Sequence, residues 1–270
     1  MKVNRKFRYP RTKREKIDGL RHYNINEGQW KLPSVTTILD KTQPAEKRES
    51  LRKWRERMGE DNATRIVDES AARGTAMHKI LEKYIIEDGY LDLTENGLQA
   101  HNMAKQVIER GLCNMTEYYG SEVTLYYPGL YAGQTDLVGV HKGEDAIVDF
   151  KQTNKPKKRE WIKDYFLQLG GYGMAHDYVY KTTISKAVIM MCSKDNYYQE
   201  FVIEGSEFRE AKHNFLKRVT EYYEIQREPK VEVKEQDFLE RAEEEKKELE
   251  ESYRESLRQA NERKFNETNN

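Results

Sequence analysis

The sequence predicts an α/β fold, from the order of its elements and from a change in hydrophobic period near residue 111. Before that point apolar residues recur every three to four positions, and after it short apolar or alternating runs begin. We predict helices over residues 44–59, 63–87, 95–111, 159–180 and 206–227, and strands over residues 122–127, 130–140, 146–151, 186–192 and 197–203. Because strands and helices are mixed along one chain, we expect a sheet with helices packed against it.

Local signals set the ends of the helices. Pro33 suits a helix entrance, and Ser34 can cap a short helix that follows it. Gly74 lies inside the helix predicted over residues 63–87, where glycine costs about 1 kcal/mol relative to alanine. We therefore expect a packing or ligand reason for Gly74. The helix predicted over residues 95–111 ends near a glycine, as many helices do.

Turn residues separate the strands. Pro128 and Gly129 form a turn between the first two strands, and residues 141–145 form a hairpin loop before the third. Residues 194–196 form the turn between the last two strands. The third strand, residues 146–151, is short and mostly apolar, which is typical of a buried strand.

Charge divides the chain into three predicted segments: a basic arm over residues 1–30 with short strands, one folded domain over residues 31–228, and a charged helical tail over residues 229–270. Residues 1–21 hold nine Lys and Arg against Glu15 and Asp18, about +7. The net charge of the chain is zero, but local fields matter more than the sum, so a nucleic-acid partner is not excluded. The alternative is that the arm is only a solvated terminus.

The cysteines and the apolar pattern bear on the compartment. Cys113 and Cys192 lie far apart and form no CxxC pair, so we predict no disulfide framework and no structural zinc site. No run of about 18 apolar residues predicts a membrane span, and the N-terminus lacks the apolar region of a secretory signal. We expect a cytoplasmic location, that of the bacterial host cell if the chain is phage-encoded, rather than the mitochondrial matrix.

The end of the third strand carries Asp149-Phe150-Lys151. Residues i and i+2 of a strand share a face, so Asp149 and Lys151 project together while Phe150 points into the core. Taken alone, this pair could be a surface ion pair worth about 0–1 kcal/mol and without function.

Asp136 on the neighbouring strand changes that interpretation. Pairing across the hairpin brings Asp136 beside Asp149, and two carboxylates so close repel unless a cation lies between them. Magnesium prefers oxygen ligands and keeps water and phosphate in its shell. The backbone carbonyl of Phe150 is a candidate third ligand. In that setting Lys151 can orient or deprotonate an attacking water, or stabilise a charged phosphate.

Two helices carry further candidates. Gln168 and Tyr172 are four residues apart and share a helix face, and Gly170-Gly171 between them permits close approach of another backbone. His78 follows Gly74 by one helical turn and is a candidate metal ligand beside the carboxylates. Glu82, one turn further, is either its partner or a solvated side chain.

These motifs, in this order, resemble the RecB-like branch of the PD-(D/E)XK nucleases. That branch has a helix histidine, a Glu on the first strand, GxxD on the second, DxK on the third and QxxxY on the next helix. The matching residues here are His78, Glu122, Gly133 to Asp136, Asp149 to Lys151, and Gln168 to Tyr172. With Ser34-Val35-Thr36 and Gly74-Thr75, the pattern is most similar to the mitochondrial genome maintenance exonuclease group and its phage relatives. One departure is Gln152, where many relatives have Thr or Ser.

The resemblance covers roughly residues 32–203. It implies a restriction-endonuclease-like core, a central mixed sheet flanked by helices, with an N-terminal helical insertion that can form an arch. It also implies a Mg²⁺- or Mn²⁺-dependent deoxyribonuclease acting on single-stranded DNA ends or flaps. The implied catalytic residues are His78, Glu122, Asp136, Asp149, Lys151, Gln168 and Tyr172, and the implied metal ligands are His78, Asp136, Asp149 and the Phe150 carbonyl.

DNA contacts are expected from two segments. The resemblance implies that Ser34, Val35, Thr36, Gly74 and Thr75 contact the DNA backbone. Lys155, Lys157, Lys158 and Trp161 follow the third strand, where the lysines could hold phosphates and the tryptophan could stack on a base. The alternative for this second segment is a solvated helix start.

Two other functions fit the same residues. One is a structure-selective endonuclease on the same core, and the other is a catalytically silent protein that binds single-stranded DNA. The acidic C-terminal tail suits either masking of a basic groove or recruitment of a replication or recombination protein.

Overall fold

The computed structural model describes residues 2–10 and 12–227. Their strands are β1 (Lys2–Val3), β2 (Lys13–Ile17), β3 (Leu20–Ile25), β4 (Trp30–Pro33), β5 (Met115–Tyr127), β6 (Tyr131–His141), β7 (Glu144–Thr153), β8 (Lys186–Ser193) and β9 (Tyr198–Glu204). Their α-helices are α1 (Val35–Lys41), α2 (Ala45–Met58), α3 (Glu60–Ile85), α4 (Glu95–Arg110), α5 (Lys163–Tyr180) and α6 (Gly205–Arg227).

A six-stranded mixed sheet has the order β1-β5-β6-β7-β8-β9. Strands β5, β6 and β7 pair antiparallel through short turns, whereas β7 and β8 pair parallel. A parallel pair needs a crossover connection, and α5 supplies it. The predicted α/β fold class, a central mixed sheet flanked by helices, is confirmed.

Two hydrophobic cores lie on the two faces of this sheet. Helices α1, α5 and α6 pack on one face, and α3 and α4 pack on the other. Strand β7 shows the alternation: Ile147 belongs to the first core, and Val148 and Phe150 belong to the second. Phe150 therefore points into the core as predicted, with 1% of its surface exposed.

A second, three-stranded sheet, β2-β3-β4, is formed by the N-terminal part of the chain. Its small core contains Tyr23, Ile25, Leu32 and, from β6, Ala132. The short strands predicted within residues 1–30 are present, and the proposed boundaries at residues 30 and 228 stay predictions. The predicted charged helical tail over residues 229–270 lies outside the described residues.

The first strand of the main sheet is longer than predicted. Strand β5 begins at Met115 instead of residue 122, and its register with β6 shifts between Met115 and Glu117 and again between Tyr118 and Gly120. Such bulges break the period of two by which a strand is found in a sequence. No helix among the described residues is long and apolar enough to span a membrane.

Candidate active site

The register of β6 on β7 forms the centre of the site. Leu137 pairs with Val148, so Asp136 and Asp149 come next along the two strands. Both carboxylates are buried, at 6% and 3% exposure. The predicted approach of Asp136 to Asp149 is therefore present in the structure.

Asp136 is held by hydrogen bonds from two elements. The Phe150 N–H donates to its Oδ2 atom at 2.5 Å, and Nδ1 of His78 on α3 lies 3.0 Å from its Oδ1 atom. Burial raises the pKa of Asp136, but His78, Lys151 and the Phe150 N–H outweigh it, so the pKa lies below its usual value. Asp136 is thus an ionised carboxylate in a buried position.

Asp149 and Lys151 form an ion pair at the end of β7. Burial raises the pKa of Asp149 to about 6, with Lys151 lowering it and Asp136 raising it. The Nζ atom of Lys151 also lies 5.0 Å from the ring centroid of Tyr165. An ammonium this close to two buried carboxylates is a fixed positive charge inside the site.

Glu122 faces the same carboxylates from β5 in an unusual backbone conformation. Its φ is +53°, in the left-handed region, although it lies in a strand. Burial, followed by the charge of Asp136, raises its pKa to about 7. Non-glycine residues in this region cost about 1–3 kcal/mol and concentrate at functional sites.

Three of these side chains are close enough to share a cation. Ligand atoms of His78, Glu122 and Asp136 lie within 4.8 Å of one another. Burial lowers the pKa of His78, but Asp136 raises it to about 9 by charge and hydrogen bond. The two carboxylates suit Mg²⁺ or Mn²⁺, which prefer oxygen ligands, and a divalent cation would relieve the repulsion between the acids. The residues therefore fit the predicted metal.

Two details differ from the predicted ligand set. Glu122, predicted as catalytic, belongs to this group of three, whereas Asp149 is engaged by Lys151 and by Gln168. The roles of Asp149 and of the Phe150 carbonyl as metal ligands stay predictions. Glu82 is not the partner of His78, because its carboxylate pairs with Lys79 at 2.7 Å.

Helix α5 supports the carboxylates from the side. Nε2 of Gln168 lies 3.3 Å from Asp149 Oδ1 and 3.0 Å from the Tyr172 hydroxyl, so the two helix residues act as one unit. A Cβ on Gly133 would lie 2.5 Å from the Tyr172 ring. A Cβ on Gly170 would lie 2.7 Å from the backbone of Ala211 on α6. These glycines are needed for close packing around the site.

The predicted backbone-contacting residues line the same cavity, which has a volume of about 590 Å³. Ser34, Val35, Thr36, Gly74 and Thr75 are all on its wall, together with the seven predicted catalytic residues. Ser34 caps α1 by accepting from the Thr37 N–H at 2.9 Å. The Thr36 hydroxyl lies 2.9 Å from that of Ser34, at the edge of the cavity.

The second predicted DNA-contacting segment is not on this wall. Lys155, Lys157, Lys158 and Trp161 are absent from the cavity lining. Lys158 lies over the Trp161 ring at 5.4 Å, and that ring is 61% exposed. The backbone N–H of Lys157 donates to Gln199 of β9. A DNA contact by this segment stays a prediction, at a distance from the carboxylates.

Several residues of the site were not predicted from the sequence. Arg14, Arg21 and Tyr23 reach the cavity from the N-terminal sheet. Gln152, which departs from the family pattern, joins β7 to α3: its Nε2 donates to the Ser70 carbonyl at 2.8 Å, and its Oε1 accepts from Arg73 at 3.0 Å. A Cβ on Gly74 would lie 3.2 Å from the Gln152 side chain, a tight contact that favours glycine at this helix position.

Comparison with known proteins agrees with this geometry. Mitochondrial genome maintenance exonuclease 1 of Mus musculus is 28% identical over 174 residues, which are 61% of this chain and 50% of that protein. The Homo sapiens protein of the same name is 24% identical over 218 residues, 72% of this chain and 62% of that protein. This chain is a homologue of mitochondrial genome maintenance exonuclease 1. The similarity is consistent with the PD-(D/E)XK nuclease relationship predicted from the motifs.

The similarity to these relatives covers only part of their length. The chain spans one half to under two thirds of the length of these two relatives. No family model matches it. A solved structure, a putative exonuclease from Eubacterium rectale, aligns with a TM-score of 0.40 at 14% identity and covers 56% of this chain and 67% of that one. The relationship therefore depends on the sequence similarity to the mitochondrial exonucleases.

Proposed function

We propose that this chain is a Mg²⁺- or Mn²⁺-dependent DNA exonuclease that acts on single-stranded ends, in DNA replication, recombination and repair or in phage DNA metabolism. The observation that carries the proposal is the convergence of Asp136, Asp149 and Lys151 in one cavity with His78 and Glu122. Neither a core ion pair nor a surface cluster requires Glu122, Asp136 and Asp149, all buried or half-buried, to share one cavity with Lys151.

The residues of the site have different roles in phosphodiester hydrolysis. His78, Glu122 and Asp136, with Asp149 beside them, would hold the divalent cation. When bound, such a cation lowers the pKa of coordinated water and offsets the charge of the phosphate. Lys151 Nζ donates a hydrogen bond to an oxygen of the scissile phosphate and stabilises the charge that develops there. Gln168 fixes Asp149 Oδ1 so that Asp149 and Lys151 keep their orientation.

The proposal is tested with single-stranded oligonucleotides labelled at the 5′ end or at the 3′ end, in Mg²⁺, Mn²⁺ or EDTA. We expect cleavage with either metal, none in EDTA, and none with Asp149→Asn. Stepwise loss of nucleotides from one end indicates an exonuclease and gives its polarity, whereas internal products from flaps or junctions would indicate a structure-selective endonuclease. Binding without cleavage in either metal would overturn the enzyme proposal in favour of a silent binding protein.

A further inference from the structure

One face of the β2–β3 hairpin carries three cations. Arg14 is paired with Tyr23 and Lys16 with Arg21 across the two strands. Directly opposite residues of an antiparallel pair share a face, and so do residues i and i+2. Arg14, Lys16, Arg21 and Tyr23 therefore project on the same side of the hairpin.

That side faces the candidate active site. Arg14, Arg21 and Tyr23 line the cavity that contains Asp136 and Asp149. The Tyr23 ring is buried, with 2% of its surface exposed, and anchors the hairpin between the two arginines. The Arg21 carbonyl accepts from the Ser34 N–H at 3.0 Å and from the Thr37 hydroxyl at 3.1 Å, which fixes this strand to the start of α1. The arginines are thus held at the cavity by a rigid support.

The cations on this face form no salt bridge in the part of the chain that the structure describes. Within residues 2–10 and 12–227, neither Arg14 nor Arg21 forms a salt bridge, and the Glu15 carboxylate pairs instead with Lys31, 3.5 Å away on the opposite face. Like charges directly opposite one another, as Lys16 and Arg21 are, destabilise a strand pair. An anionic ligand on this face would remove that cost.

The position of the cations also suits a nucleic-acid strand better than a single anion. Arg14 and Arg21 line the same cavity as Glu122, Asp136 and Asp149. A phosphodiester chain whose scissile phosphate lies at Lys151 continues past the carboxylates on either side, with one charge per nucleotide. Guanidinium groups match phosphate geometry through paired hydrogen bonds.

We infer that Arg14 and Arg21 bind backbone phosphates of single-stranded DNA next to the scissile phosphate, and that Lys16 binds a phosphate further out. These three cations form a row that is called the phosphate track below. The hairpin forms the wall of the cavity that guides the strand across the carboxylates. This inference rests on the proposed function and assigns the strand a path over the N-terminal sheet. Contacts to phosphate position a strand without reading its sequence, so the track is expected to be indifferent to sequence.

The test is the salt dependence of binding, measured by fluorescence anisotropy with a labelled oligothymidine in EDTA, where cleavage does not interfere. Each phosphate contact contributes about 0.7 to the slope of log affinity against log salt for single strands. Arg14→Ala with Arg21→Ala is therefore expected to reduce the slope by about 1.4. Lys13→Ala with Lys31→Ala removes the same charge from the opposite face of the same sheet and is expected to leave the slope unchanged.

The outcomes separate this inference from the proposed function. A slope reduced in the arginine variant and not in the lysine variant supports the track. Equal slopes in the arginine variant and the wild type, or equal reductions in both variants, would overturn it and leave the nuclease proposal intact. A wild-type protein that neither binds the oligonucleotide nor cleaves it with metal would overturn both. Circular dichroism melting of each variant verifies that the hairpin still folds.

Discussion

The Nδ1 atom of His78 lies 3.0 Å from Oδ1 of Asp136, although the two residues are 58 positions apart in the sequence. This contact joins helix α3 to strand β6, and Glu122 of β5 completes the group. The candidate cation site therefore draws one ligand from each of three elements. Substitutions in any of them are expected to affect metal binding.

We predict that Glu122→Gly makes the protein more stable and less active. The substitution relieves a φ of +53° and removes a carboxylate that repels Asp136. We expect a gain of about 1 kcal/mol, which raises Tm by about 2–4 °C in a domain of this size. Cleavage falls because a candidate metal ligand is lost. Thermal melting and the labelled-oligonucleotide assay measure the two effects.

Two control variants separate the effect of backbone strain on Tm from the effect of the lost carboxylate on cleavage. Glu122→Gln keeps the strained backbone and loses the charge, so it is expected to lose activity with a smaller gain in Tm. Glu87→Gly relieves a similar φ of +57° at an exposed residue outside the cavity and is expected to leave cleavage unchanged. A lower Tm for Glu122→Gly would contradict this account of the strand.

We predict strong coupling between Arg73 and Gln152. The Arg73 guanidinium is 2% exposed and bonds to amide oxygens of Gln152 and Asn154, not to a carboxylate. Removing a hydrogen-bond partner from a buried polar group costs about 1–3 kcal/mol. A double-mutant cycle with Arg73→Met and Gln152→Ala, measured by urea unfolding, is expected to give a coupling of about 0.5–3 kcal/mol.

The exposed pair Arg65–Glu69 on the same helix is the control for that cycle. Its side chains are 63% and 43% exposed, so a coupling of only about 0.3–0.5 kcal/mol is expected. A coupling between Arg73 and Gln152 no larger than this one would mean that Gln152 does not fasten α3 to β7.

We predict that buried His176 makes stability fall in mild acid. Its Nε2 lies 3.0 Å from the Tyr9 hydroxyl and its Nδ1 lies 2.8 Å from the Thr182 hydroxyl, and burial lowers its pKa from 6.5 to about 4. Below pH 6.5 the unfolded chain binds a proton that the folded protein does not, so stability present above pH 6.5 is lost as the pH falls toward 4. Between pH 7 and pH 5 the loss is about 2 kcal/mol.

Comparison with His176→Gln isolates this contribution from other titrating groups. The free energy of unfolding of both proteins is measured in urea at pH 7 and at pH 5. The wild type is expected to lose about 2 kcal/mol more than the variant. Equal losses in the two proteins would show that His176 is not held neutral by its surroundings.

Features of the fold and of the site that depend on local periodicity or on the pairing of adjacent strands were predicted from the sequence. Asp136 and Asp149 lie on strands joined by a short hairpin, so their register follows from the turn. Gln168 and Tyr172 share a helix face for the same local reason. Gly170 was expected to allow close approach of a backbone, and the α6 backbone is there.

Features that depend on distant packing were not predicted. Arg14 and Arg21 reach the site only because the three-stranded sheet packs against β6 through Ala132. The link from Gln152 to Ser70 spans 82 residues, and no local pattern indicates it. The left-handed backbone of Glu122 is also invisible in the sequence, because strand residues rarely adopt it.

The most direct test of the proposed active site is Lys151→Ala, with cleavage and binding of single-stranded DNA measured on the same preparation. The side chain is predicted to act on the phosphate, and because it also pairs with buried Asp149, thermal melting of the same preparation verifies that the variant is folded. Cleavage in Mg²⁺ is expected to fall at least about 100-fold, while binding in EDTA stays within a few-fold of wild type. Cleavage at the wild-type rate by Lys151→Ala would contradict the assignment of this site.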